Sequence, residues 1–144
     1  MLITVLKEAH VPAVAALEKE CFTEPWSEQA LMTLLSPSSV ALVACADTGE
    51  VMAYGAMLTV LDEGQITNIA VSGAYRRQGV GRALLGALLE EAKRRGIATV
   101  SLEVRASNEG AQALYREKGF ELCGVRKGFY THPREDGVVM VATL

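Results

Sequence analysis

Asn68-Ile69-Ala70-Val71-Ser72-Gly73-Ala74-Tyr75-Arg76-Arg77-Gln78-Gly79-Val80-Gly81-Arg82 is the stretch on which the fold turns. Gln65 to Val71 reads as a strand. After the glycines, Val80, Ala83, Leu84, Ala87, Leu88 and Ala92 recur at i, i+3, i+4, i+7, i+8 and i+12, one apolar face of a helix from about Gly79 to Arg95. Lys93, Arg94 and Arg95 complement the dipole at its far end, and Gly96 stops it. Two glycines therefore stand at the mouth of a helix, where free N–H donors and partial positive charge suit a pyrophosphate. Arg77 and Arg82 add charge. A P-loop is excluded, because no Gly-Lys-Ser/Thr follows. A dinucleotide fingerprint fits poorly. Glu103 lies at a suitable distance, but Leu84 stands where the third glycine belongs. Gly79 also comes eight positions after Val71, whereas that turn is tight.

Outward from this unit the remaining elements read simply. Ile3 to Leu6 is a short strand. Pro12 suits a first helical turn, and Val14, Leu17 and Cys21 give helical spacing. Pro25-Trp26-Ser27 breaks that helix, and Ser27 can cap a second one through Leu34. Val40 to Ala46 and Val51 to Val60 flank the turn Asp47-Thr48-Gly49-Glu50 as a hairpin. Thr99 to Arg105 is a strand. Asn108 caps a helix to about Lys118, stopped by Gly119. Phe120 to Val125 and Val138 to Thr143 are the last strands. The order β-α-α-β-β-β-α-β-α-β-β predicts an α/β fold. It is a mixed, mostly antiparallel sheet with a central right-handed β-α-β crossover and helices on both faces.

The chain of 144 residues fits one domain, 1–144, since domains run to roughly 100–200 residues. With 14 basic and 17 acidic residues it carries a net charge of −3, against a broadly basic nucleic-acid-binding surface. Val51 to Leu61, the longest mainly apolar stretch, is far below the ~20 residues that span a bilayer. Met1 to Leu6 is too short for a signal segment and lacks a basic flank. A cytoplasmic protein with no membrane partner is expected. Cys21, Cys45 and Cys123 are widely spaced and odd in number, against a disulfide framework. They are expected to be small buried hydrophobes in a reducing compartment. His10 and His132 have no second histidine at ligand spacing, so no metal site is expected.

Arg76-x-x-Gly79-x-Gly81 after Asn68-Ile69-Ala70-Val71 resembles the acetyl-coenzyme A signature of the GNAT N-acetyltransferases. Further matches are similar to the RimI-type subfamily, which acetylates the N-terminal alanine of small-subunit ribosomal protein S eighteen. These are Pro25-Trp26-Ser27, Arg77-Gln78-Gly79-Val80-Gly81-Arg82, Leu102-Glu103-Val104-Arg105-Ala106-Ser107-Asn108, Ala113-Leu114-Tyr115 and Gly119-Phe120. Gly128-Phe129-Tyr130 with Arg134-Glu135-Asp136 resembles the tyrosine-containing substrate loop of protein N-terminal acetyltransferases. There the family often has two adjacent tyrosines, and Phe129 loses one hydroxyl. The resemblance implies a GNAT (acyl-CoA N-acyltransferase) fold, with acetyl-coenzyme A as co-substrate and the N-terminal peptide of a ribosomal protein as partner. Backbone groups of Ile69, Ala70 and Val71 would hold the pantetheine arm as in β-augmentation. Arg77, Gln78, Gly79, Val80, Gly81 and Arg82 would wrap the pyrophosphate. Asn108 would touch the cofactor, although by itself it reads first as a helix cap.

Acetyl transfer to an amine requires loss of an ammonium proton and protonation of a departing thiolate. An α-amine has a pKa of about 7.7–8.0 and lysine about 10.4, so an N-terminal amine needs only a modest base. Val100, Leu102 and Val104 share one face of their strand, and Glu103 lies on the other with Ser101 and Arg105. Helices on both faces would withdraw that carboxylate from water, which makes a carboxylate more basic. From pattern alone Glu103 is either such a base or an exposed partner of Arg105. The resemblance implies the base. Tyr115, beside Ala111 and Leu114, reads as a core aromatic, and the resemblance makes it the general acid. An unperturbed tyrosine at about 10 gives its proton only slightly uphill to a thiolate near 8.5. Cys123 has no adjacent histidine, against a covalent intermediate. Glu18, Glu20, Glu24 and Glu28 are either a solvated face or an acidic lip for a basic peptide tail. Trp26 and Tyr130 could flank the entrance, with Trp26 equally a core anchor. The remaining alternatives are a transferase for a small amine or a lysine, and a non-catalytic coenzyme A-binding module. Glu103 and Tyr115 argue against the last.

Overall fold

Local chemistry sets the element ends in the computed structural model, which describes residues 1–144. Strand β1 (Leu2–Val5) leads to α1 (Val11–Cys21), with Pro12 in its first turn, and to the short α2 (Glu28–Met32). Ser27 Oγ accepts the Ala30 N–H at 3.1 Å and starts α2. Next come β2 (Ser39–Cys45), β3 (Val51–Val60), β4 (Glu63–Val71) and α3 (Val80–Arg94). Then follow β5 (Thr99–Arg105), α4 (Glu109–Glu117), β6 (Phe120–Thr131) and β7 (Arg134–Thr143). Asn108 Oδ1 caps α4 through the Ala111 N–H at 3.1 Å.

The seven strands form one sheet in the order β1-β2-β3-β4-β5-β7-β6. Only β4 and β5 are parallel; every other pair is antiparallel. Two cores lie on opposite faces. One gathers Leu84, Leu85 and Leu88 of α3 with Val100, Leu102 and Val104 of β5, and α4 packs against it through Leu114 and Tyr115. The other gathers Val14 and Leu17 of α1 and Leu31 of α2 with Val43, Tyr54 and Ala70. Inner strand β2 is buried throughout, as expected of a strand covered on both faces. At Gly55 the helix α3 comes so close that a Cβ would meet Leu88 Cδ1 at 2.7 Å.

The parallel pairing ends early. Glu63, Gly64 and Gln65 face Thr99, Val100 and Ser101, and beyond them β4 and β5 pair no further. From Ile66 to Val71 one edge of β4 has no strand beside it, and the sheet opens into a gap. A register shift opposite Ala56 and Met57 leaves Thr67 as an extra residue in β4. Side chains alternate across a strand, so the bulge reverses their phase. Ile66 joins the α3 core, while Asn68 and Ala70 face α1.

The last hairpin is longer than expected. Strand β6 continues to Thr131 and β7 begins at Arg134, joined through a cis His132–Pro133 bond. Residues of β6 beyond Phe120 are mostly exposed, so no apolar alternation marks them, and two irregularities interrupt the register. The cysteines are free. Cys45 is buried and Cys21 half-buried, but Cys123 on this outer strand is exposed, unlike the buried thiol expected. No helix is long and apolar enough to cross a membrane.

Candidate active site

A cavity of about 640 Å³ opens where β4 and β5 part. Glu103, Tyr115, Asn108, Ile69, Trp26 and Tyr130 all line it. Six residues expected at a site are thus brought together from β4, β5, α4, the α1–α2 connection and the β6–β7 hairpin. Glu103 faces the α1 side of the sheet and Tyr115 comes from the α3–α4 side, so the cavity runs through the gap between strands.

Glu103 has a side chain 14% exposed, and its Oε1 forms an ion pair with Arg126 Nη1 at 3.2 Å. Its Oε2 is buried with no hydrogen-bond partner. The expected shield was a helix, but α1 packs on β3 and β4. Arg126 and Tyr130 of the hairpin stand over Glu103 instead. Arg105 is not its partner. Arg105 pairs with Glu135 at 3.2 Å, donates to the carbonyls of Pro133 and His132, and lies 4.4 Å from the centre of the Tyr130 ring. Glu135 in turn accepts the Ser107 N–H at 2.5 Å. This clamp holds the hairpin tip over the cavity.

Burial, and then the nearby Tyr130, pushes the Tyr115 hydroxyl up to about 12. The unperturbed value used for the sequence argument is therefore revised. Proton transfer to a thiolate near 8.5 becomes about two units steeper, ~3 kcal/mol. A thiolate leaving in the same dry gap is raised for the same reason, which offsets part of that cost. Burial, followed by the charge of Glu103, also raises Tyr130. Phe129 packs edge-on against Tyr130, ring centres 5.0 Å apart.

The phase of β4 sorts the three backbone positions. Ser72 donates its N–H to Met52 O at 2.8 Å, next to the aligned pair Val71 and Ala53. By alternation Ala70 turns its N–H and C=O to β3, and Ile69 and Val71 turn theirs to the open edge. The Val71 carbonyl accordingly accepts from Arg76 Nε at 3.2 Å and Cys21 Sγ at 3.4 Å. Ala70 is thus a correction: its backbone does not reach the edge where a bound strand-like arm would lie.

The turn into α3 leaves backbone donors free. Arg77 and Gly79 have positive φ of 62° and 78°. The first helical bond is Ala83 N–H to Gly79 O at 3.0 Å, and no side chain caps this end, so the N–H groups of Val80, Gly81 and Arg82 have no helical partner. Val80 itself packs into the core. Arg77 makes no ion pair, Gln78 Nε2 donates to Ala74 O, and Arg82 pairs with exposed Glu117 at 3.0 Å. Free donors at the helix mouth and a free strand edge fit a phosphate-bearing thioester with an extended arm; of the expected cofactor residues only Ile69 and Asn108 line the cavity, and Val71 and Arg77 to Arg82 lie outside it.

The acidic lip shrinks. Glu18 is 1% exposed, not solvated. It accepts from Tyr54 Oη at 2.5 Å, Asn68 Nδ2 at 3.2 Å and the Trp26 N–H at 2.9 Å. Glu20 accepts the Gly73 N–H at 2.6 Å and so ties α1 to the turn into α3. Glu28 is exposed on α2 and does not line the cavity. Only Glu24 stands at the rim, joined to Thr131 Oγ1 at 3.1 Å and His132 Nε2 at 3.3 Å. Trp26 is both wall and anchor: it lines the cavity and packs on the α1–α2 core. Sequence reasoning missed Arg126, and it placed Glu18 in the lip, Arg105 beside Glu103 and Glu135 in the hairpin motif without their true partners, most of which lie far away in the chain.

The profile of the acetyltransferase (GNAT) family matches residues 11–120. The chain is 39% identical over 140 residues to a ribosomal protein bS18-alanine N-acetyltransferase of Escherichia coli K12, covering 96% of this chain and 94% of that one. It is 37% identical over 133 residues to a putative enzyme of the same description in Bacillus subtilis, covering 91% and 87%. The crystal structure of the ribosomal-protein-S18-alanine N-acetyltransferase from Escherichia coli superposes with a TM-score of 0.92 at 38% identity, over 99% of this chain and 92% of that one.

Proposed function

The chain belongs to the GNAT acetyltransferase family, and from that premise we propose that it acetylates the N-terminal alanine of ribosomal protein bS18. The observation that carries this reading is the meeting of Glu103 and Tyr115 at one cavity from opposite sides of the sheet gap. The relatives described as bS18-alanine N-acetyltransferases support the choice of substrate.

Acetyl-coenzyme A, when bound, supplies an activated acetyl group on a thiol leaving group. The N–H groups of Val80, Gly81 and Arg82, with Arg77, hold its pyrophosphate. Ile69 and Val71 offer backbone groups to its arm, and Asn108 can add only its Nδ2, since its Oδ1 caps α4. Glu103 Oε2 takes a proton from the substrate α-ammonium, whose pKa of about 7.7–8.0 makes it far easier to deprotonate than a lysine near 10.4. Tyr115, fully protonated at neutral pH, holds the proton the leaving thiolate needs. Two protons leave the nitrogen in all: one balances the thiolate and one is released. Trp26 and Tyr130 flank the peptide entrance, and the reaction belongs in the cytoplasm beside newly made ribosomal proteins.

A thiol-release assay with three acceptors tests this. An alanine-started peptide of the bS18 N-terminus should react. The same peptide blocked at its N-terminus but bearing lysine should not, nor should a small primary amine. Preference for either of the latter overturns the N-terminal assignment. Release from none of them, with coenzyme A still bound, favours a non-catalytic module.

A further inference from the structure

Within the N-terminal acetyltransferase reading, we propose that Asn68 is a substrate-binding residue. Its carboxamide oxygen and Glu103 Oε2 together receive the N–H groups of the acceptor α-amine.

The bulge at Thr67 decides which way Asn68 faces. Without it Asn68 would share the face of Ile66 and point into the α3 core. With it the side chain turns to the α1 side, the same side as Glu103 and across the gap from it. Asn68 lines the cavity and is 6% exposed.

Its amide is also oriented. The amide nitrogen, not the oxygen, points at Glu18, donating to its Oε2 at 3.2 Å. Glu18 cannot turn away, because Tyr54 and the Trp26 N–H hold it too. Asn68 Oδ1 is thereby directed away from Glu18, and it is left buried without a partner. The only other buried side-chain oxygen or nitrogen without one is Glu103 Oε2. Leaving a buried acceptor unsatisfied carries a cost of its own, and a pair lining one cavity marks where a ligand with two N–H donors belongs.

A neutral primary amine has two N–H groups and one lone pair. Asn68 accepts one N–H of the α-ammonium while Glu103 Oε2 takes another proton, and the neutral amine, still held by Asn68, turns the freed lone pair to the acetyl carbonyl. The bond formed is an ordinary hydrogen bond, with no proton transferred to Asn68.

Calorimetry on the enzyme–coenzyme A complex tests this without turnover. The probes are an alanine-started peptide and its analogue with propionyl in place of alanine, which lacks only the amine. The wild type should favour the amine peptide by roughly 10–100-fold, the range for hydrogen bonds to a charged group. Asn68→Leu should cut that ratio by about tenfold while affinity for the analogue and for coenzyme A stays unchanged. Glu18 keeps two donors in that variant, which favours folding. The double substitution Glu18→Gln with Asn68→Asp exchanges donor and acceptor and keeps an oxygen facing the cavity. It should preserve or enlarge the ratio, and it decides the matter if Asn68→Leu does not fold. An unchanged ratio in folded Asn68→Leu overturns the proposal, as does equal weakening of both peptides or loss of the ratio in the double variant. Failure of the wild type to release thiol with the alanine peptide is a separate result, and it overturns the parent reading.

Discussion

The two ends of the candidate site are built differently. The cofactor end lies within one run of chain, Ile69 to Arg82, and consists mainly of backbone: an unpaired strand edge and uncapped helix N–H groups. The peptide end joins residues more than a hundred positions apart, such as Glu24 with Thr131 and Thr23 with His132, and each of these contacts needs a particular side chain. A backbone site is written in local sequence, because glycines and strand ends determine it. A side-chain site is written in long-range contacts. The first should yield to steric intrusion and the second to loss of particular charges.

Glu103 serves both ends, and its loss should be the largest effect. Glu103→Gln should lower kcat by about 10²–10⁴, the range for a deleted general base, with coenzyme A affinity nearly unchanged. Activity should partly recover at high pH, where the amine is already neutral. A loss that is independent of pH contradicts the role of base. At the cofactor end, Gly81→Val should weaken acetyl-coenzyme A by at least about tenfold, ~1.4 kcal/mol, in calorimetry. The fold tolerates the first added carbon, since a Cβ there meets only Val71 Cγ2 at an ordinary 3.4 Å. At the peptide end, Arg105→Ala should raise the peptide KM by roughly tenfold and leave the cofactor affinity alone, because the charged hydrogen bonds it removes hold only the hairpin. Arg105→Lys should fall between, keeping charge without the planar fork. Smallest of all, Glu24→Lys should abolish the salt dependence of kcat/KM for a basic-tailed peptide, since exposed charges act through a screened field. If Arg105→Ala weakens the cofactor instead, the separation of the two ends collapses.

Element order and nearly every boundary up to Lys118 were legible in the sequence, because the helices have caps and the inner strands are apolar. The extended hairpin was not. Its outer strand bears charged and polar residues around Gly124 and Gly128, so nothing periodic announces it. The site was legible where a motif specifies it. Glu103 could be placed on the correct face by the alternation of Val100, Leu102 and Val104. Its true partner, Arg126, could not, because the register of β6 against β7 brings it there. Glu18 shows the same limit. A carboxylate among other carboxylates on an amphipathic helix reads as solvated, yet three donors from β3, β4 and the α1–α2 connection bury it. Likewise the bulge at Thr67 that turns Asn68 toward α1 leaves no mark in composition.

The most direct test of N-terminal acetylation is mass spectrometry of bS18 isolated from cells with the gene, without it, and with the gene carrying Glu103→Gln. Acetylation on the α-nitrogen of the N-terminal alanine should be present in the first, and absent or sharply reduced in the other two. The same acetylation in all three, or an acetyl group that maps to a lysine, would contradict the account.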